Sequence, residues 1–71
     1  MIKVIECINT DRNYHTYKVT CFSDTKAEVD TTPIADYIGM PKDANLEMGS
    51  LMITADCDVA WWKSDDVWNW V

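Results

Sequence analysis

The chain is poor in the groups that most catalytic and phosphate-binding sites use. It holds one histidine, His15, and two glycines, Gly39 and Gly49, among 71 residues. Two isolated glycines cannot form a glycine-rich phosphate loop. A single histidine gives zinc too few nitrogen donors. His15 and Cys21 share a predicted strand face, yet at roughly 3.3 Å per residue they stand about 20 Å apart, beyond proton transfer. No nucleophile motif surrounds Cys7 or Cys57 either. Cations are equally scarce: six Lys and Arg face twelve Asp and Glu, for a net charge of −6. Lys3, Arg12, Lys18, Lys26, Lys42 and Lys63 are spread along the chain. No basic face forms for a phosphate backbone, so direct nucleic-acid binding is not expected.

Cysteine is present three times, as Cys7, Cys21 and Cys57. An odd and widely spaced set does not make a secreted disulfide framework. No leader pattern and no apolar run near ~18 residues is seen, so no membrane segment is expected. These absences predict a protein of a reducing cytosol, its cysteines acting as small core hydrophobes. Catalysis, metal, cofactor and small-molecule substrate are not expected.

Apolar and aromatic residues are abundant, at 48% of the chain, too many for a disordered tail. A chain this short buries only roughly 60% of its unfolded surface. One small domain, residues 1–71, is therefore expected, with stability that needs large core side chains or a partner.

The apolar pattern is that of strands. MIKVIECIN alternates, with Ile2, Val4 and Ile8 on one face and Ile5 and Cys7 on the other. After the polar NTDRN, YHTYKVTCFS sets His15, Tyr17, Val19 and Cys21 against Tyr14, Thr16, Lys18 and Thr20, which suggests a hairpin. Thr25 and Glu28 have capping-box spacing, but thin apolar content predicts a loop or single turn there. Thr32, Pro33, Gly39 and Pro41 punctuate a short helical turn near residues 33–38, with Ile34, Tyr37 and Ile38 on one face. LEMGSLMITA, DVAWWK and VWNWV return to strand character, separated by ADCD and KSDD; Gly49 marks a bulge or close approach. The expected fold is mainly β: a small antiparallel sheet or partly open barrel of about four or five strands.

All four tryptophans, Trp61, Trp62, Trp68 and Trp70, fall in the last eleven residues. A two-residue Asp65-Asp66 loop pairs Lys63 with Trp68, a cation–π contact, and Trp61 with Trp70. A three-residue loop instead opposes Trp62 to Trp70. In both registers a tryptophan pair closes the hairpin, adding roughly 0.5–1.5 kcal/mol beyond burial. In both, indoles occupy the two sides of the sheet. These residues with Lys63 form the candidate interaction surface. Asp56-Cys57-Asp58 lacks the spacing and glycine of a calcium loop and reads as a solvated turn.

The second half resembles small proteins encoded by tailed bacteriophages and prophages. The likeness rests on Gly39-Met40-Pro41, Gly49-Ser50, Thr54-Ala55-Asp56, Val59 to Trp62, and Ser64-Asp65 through Trp68 and Trp70, with Asp24 to Glu28 upstream. Asp66 stands where that group often has glycine, which favours a longer turn. The resemblance implies a virion component or accessory, a homo-oligomer or the partner of another virion protein, made in the host cytoplasm and assembled into the particle. Two other readings are an acidic binder of a host protein through Asp24, Glu28, Asp30, Asp36 and Asp43, and glycan binding on exposed tryptophan.

Overall fold

The computed structural model describes residues 1–71. Its strands are β1 (Lys3–Asp11), β2 (Thr16–Ser23), β3 (Asn45–Leu46), β4 (Leu51–Thr54), β5 (Val59–Trp62) and β6 (Trp68–Trp70); helix α1 (Lys26–Thr31) and a 3-10 turn, Ile34–Asp36, lie between β2 and β3. They build one open sheet in the order β1-β2-β4-β5-β6, with β3 also against β2. Neighbours β1–β2, β4–β5 and β5–β6 are antiparallel, whereas β3 and β4 run parallel to β2. The sheet is thus mixed. A parallel pair needs a crossover, and residues 24–44 provide it. The expected antiparallel sheet is corrected here to a mixed one, because side-chain alternation reports faces but not strand direction.

The crossover roofs one face of the sheet. Val29 of α1 and Tyr37 join Ile2, Val19, Cys21, Leu46, Met52, Ala60 and Trp62 in a buried cluster, with Ile34, Met40, Trp68 and Trp70 packed against it. The thinly apolar 24–31 stretch does form a helix. Thr25 Oγ1 accepts the Glu28 N–H at 3.2 Å, and Val29 is the only residue the helix buries. Glu28 does not complete a capping box: its carboxylate pairs with the Met1 ammonium, as does Asp24 at 2.9 Å. Near residues 33–38 the helical turn is a single 3-10 turn, with Pro33 before it and Tyr37 after it already extended. Ile38 therefore leaves the face shared by Ile34 and Tyr37. It pairs with the free edge of β1, Val4 N–H donating to the Ile38 carbonyl at 2.8 Å.

A bulge reorders the faces of β1. Lys3 and Val4 oppose Phe22 and Cys21, but Glu6 and Cys7 oppose Thr20 and Val19, so Ile5 is the extra residue. An extra residue inverts the alternation beyond it. Val4 and Cys7 consequently lie on the roofed face, and Ile8 crosses to the other, opposite Lys18. The expected grouping of Ile2, Val4 and Ile8 fails for this reason. A second correction concerns His15: it belongs to the turn, in left-handed backbone (φ 51°), and not to a strand face.

The second irregularity organises the centre. Between Tyr17↔Leu46 and Thr20↔Leu51, β2 advances three residues while its partner advances five. The surplus is taken up around Gly49 (φ 97°), which confirms the irregularity its position suggested. The looped backbone leaves Val19 N–H without a carbonyl opposite. Ser50 replaces it: its Oγ accepts from Val19 N–H at 3.0 Å and donates to the Glu47 carbonyl at 2.8 Å. The Ser50 carbonyl in turn accepts Trp62 N–H at 2.9 Å, and Gly49 N–H donates to the Trp62 carbonyl at 2.9 Å. One fully buried serine thus joins β2 to β5 across the gap.

Two stability changes are expected. Ser50→Ala strands the buried Val19 N–H and should lower the unfolding free energy by roughly 1–3 kcal/mol; urea denaturation with unchanged slope measures it. Cys57, exposed at φ 66° in the β4–β5 turn, pays for left-handed backbone. Cys57→Gly should raise the denaturation midpoint, by about 0.5–1 kcal/mol of strain relief net of chain entropy.

Candidate functional site

The β5–β6 hairpin differs from both registers expected of it. Trp62 faces Trp68, Trp61 faces Asn69, and Ala60 faces Trp70. The connection runs from Lys63 to Val67. It is built on a turn in which Asp66 N–H donates to the Lys63 carbonyl at 3.1 Å and Asp66 takes φ 59°. Asp65 holds the turn from outside, its carboxylate accepting from Val67 N–H and from Asn69 Nδ2. The longer turn that aspartate at position 66 favoured is present. A closing tryptophan pair is also present, but as Trp62 with Trp68, edge to face at 5.1 Å and 74°.

Register then decides what each indole does. Trp62, Trp68 and Trp70 share the roofed face, and Trp61 alone lies on the other. Trp68 Nε1 donates to the Tyr37 hydroxyl at 3.0 Å, tying the hairpin to the crossover. Lys63 does not lie over Trp68, because it opens the turn. The cation–π contact is made instead by Lys26 of α1, 5.2 Å from the Trp70 ring centre, with Asp58 at 3.7 Å. Trp62 is 7% exposed, and its buried Nε1–H has no acceptor within the chain.

The face without a roof is an apolar grid, set by cross-strand pairs. One row runs Lys3, Phe22, Ile53 and Val59; the next runs Glu6, Thr20, Leu51, Trp61 and Asn69; Ile8 and Lys18 begin a third. Phe22, Leu51, Ile53 and Val59 are half-buried, and none belongs to the core cluster. Trp61 is 42% exposed, Ile8 52% and Ile5 61%. Of the five residues predicted as an interaction surface, the structure thus leaves Trp61 and Lys63 outward and commits Trp62, Trp68 and Trp70 to the interior side. The residues the sequence reading missed, Phe22, Leu51, Ile53 and Val59, are every second residue of strands it had identified. Strand alternation was the signal; register with the neighbours was lacking.

On the roofed side a cleft of about 280 Å³ opens between α1, the 3-10 turn and the β5–β6 turn. Val29, Ile34, Tyr37, Trp62 and Trp68 line it, and Asp30 and Asp66 stand at its rim.

The three thiols are free. Cys7 and Cys57 are exposed and Cys21 is fully buried. Burial pushes the Cys21 thiol up to about 12, with Cys7 nearby adding to the effect. Burial also raises the Tyr37 phenol, against the N–H that Trp68 donates to it. No group of three or more His, Cys, Asp or Glu side chains gathers as metal donors. Asp56, Cys57 and Asp58 form the β4–β5 turn, fixed by Thr54 Oγ1 accepting from Asp58 N–H at 3.1 Å. No helix is long and apolar enough to cross a membrane. Comparison of the chain with protein-family models, curated proteins and solved structures finds no match.

The raised thiol and phenol make folding pH-dependent at the alkaline end. A folded-state pKa above the unfolded one contributes stability that is complete below the unfolded value and is lost as pH rises. For Cys21 that window opens near its ordinary value of 9.0 and closes near 12. The Met1 ammonium, held by Glu28 and Asp24, is likewise raised from its ordinary 8.0, so unfolding free energy from urea titrations should begin to fall above pH 8 and fall further above pH 9. Cys21→Ala should shallow the fall above pH 9, leaving the parts due to Met1, Cys7 and Tyr37.

Proposed function

We propose that the chain is a non-catalytic interaction module that self-associates through the unroofed face of its sheet. The observation that carries this reading is the grid of Phe22, Leu51, Ile53, Val59 and Trp61, which nothing in the chain covers. Continuous apolar surface is costly in water and marks contact sites on small proteins. A domain of this length also gains most from a second layer supplied by another copy. Lys3, Lys18 and Lys63 border the grid, with long apolar stems that can lie along a partner while their ammonium groups stay in water. Trp61, a large aromatic on β5, one strand in from the β6 edge, is the residue type that dominates binding energy at such contacts. In this reading the chain is a small phage or prophage particle component, as its turn and tryptophan motifs imply.

Two other readings have less support. Of the acidic stripe, Asp24 and Glu28 are engaged by the Met1 ammonium. A sugar platform wants more than one exposed ring, and Trp61 is the single indole on its face.

Light scattering coupled to size-exclusion chromatography tests the proposal. The wild-type chain should elute as a dimer or higher oligomer at micromolar concentration. Trp61→Ser should shift it to monomer, weakening association at least tenfold, with the fold retained by circular dichroism. A wild-type monomer at high micromolar concentration overturns the reading.

A further inference from the structure

The cleft on the roofed side has no part in that self-association, since the sheet lies between it and the grid. Its make-up is specific. Three aromatic side chains, Tyr37, Trp62 and Trp68, line it together with aliphatic Val29 and Ile34. Tyr37 and Trp62 are each more than nine-tenths buried. Trp68 is held in orientation by its hydrogen bond to the Tyr37 hydroxyl and its edge-to-face contact with Trp62.

The rim carries charge of one sign only. Asp30 follows Val29 in α1, and Asp66 sits in the left-handed position of the β5–β6 turn; no Lys, Arg or His lines the cleft. Neither carboxylate takes part in any of the three ion pairs of the chain, which engage Asp24, Glu28 and Asp58. Neither accepts a side-chain or backbone hydrogen bond. Two unpartnered carboxylates bordering an aromatic cleft are complementary to an organic cation, which gains from the ring quadrupole and from the carboxylates together. Simple metal ions fit less well, because beyond the two carboxylates the lining side chains offer only the neutral hydroxyls of Thr32 and Tyr37. The net charge of −6 adds a field in the same direction.

We propose that this cleft binds the guanidinium of an arginine side chain presented by a partner protein. Its volume of about 280 Å³ matches one extended side chain. A planar guanidinium can stack on the Trp68 indole while its N–H groups, spread in a fork, reach the carboxylates at the rim.

The test uses the full chain labelled with ¹⁵N and Nα-acetyl-arginine amide as the probe, with Nα-acetyl-citrulline amide as its neutral isostere. Indole N–H resonances read the outcome. Trp68 and Trp62 should shift on adding the arginine compound, and Trp61, on the opposite face of the sheet, should not. The citrulline compound should bind at least tenfold more weakly. The exposed double variant Asp30→Asn/Asp66→Asn should weaken arginine binding at least tenfold while leaving the Trp61 resonance in place, and high salt should weaken it in the wild type. Equal response to citrulline overturns the proposal, as does an unmoved Trp68 or undiminished binding by the double variant. Loss of oligomerisation through Trp61→Ser leaves this outcome untouched, so the two sites fail or stand separately.

Discussion

The structure depends on how the Val19 N–H is satisfied. β2 must pair with β1 on one side and with both β3 and β4 on the other, and the two partner segments are out of step by two residues. Were that N–H left orphaned inside the sheet, the register of the centre would carry a penalty of roughly 1–3 kcal/mol in a domain of small total stability. The Ser50 hydroxyl removes the penalty, and the same residue's backbone joins β5. The position of β5 in turn places the tryptophan hairpin. One hydroxyl therefore links the parallel centre of the sheet to its aromatic end.

Size imposes the second constraint. One short crossover can roof only one face of a sheet this wide. The chain spends its crossover on the face that holds Met52, Val19 and Cys21, and closes it with three of its four tryptophans. Trp68, bonded to Tyr37, and Trp70, under Lys26, fasten sheet to crossover from the hairpin side. The opposite face has no such cover, and its apolar rows are the direct consequence. The two proposed contact sites fall out of this division: an apolar surface where the roof is missing, and an aromatic cleft where roof and hairpin meet.

Much of this was legible in the residues. The strands, their turns at ADCD and KSDD, the short helical turn before Gly39, and a tryptophan pair closing the last hairpin follow from alternation, turn chemistry and aromatic pairing. The irregularity at Gly49 was also signalled. Helix α1 was under-read because its cap was visible while its stabilisation is tertiary: Val29 inserts in the core, which no local propensity encodes.

The sequence by itself determined which segments extend, where they turn, and that indoles must lie on both sides of the sheet, because these depend on periods of two and on the conformations single residues allow. Only the tertiary structure decided which indole lies on which side. The bulge at Ile5, the parallel pairing of β2 with β4, and the one-residue choice of register between Trp62 and Trp68 are settled by long-range packing and hydrogen bonding. A shift of one residue exchanges the faces of a strand, so the four tryptophans read as one cluster in sequence become one core indole, two packed against it, and one exposed on the opposite face.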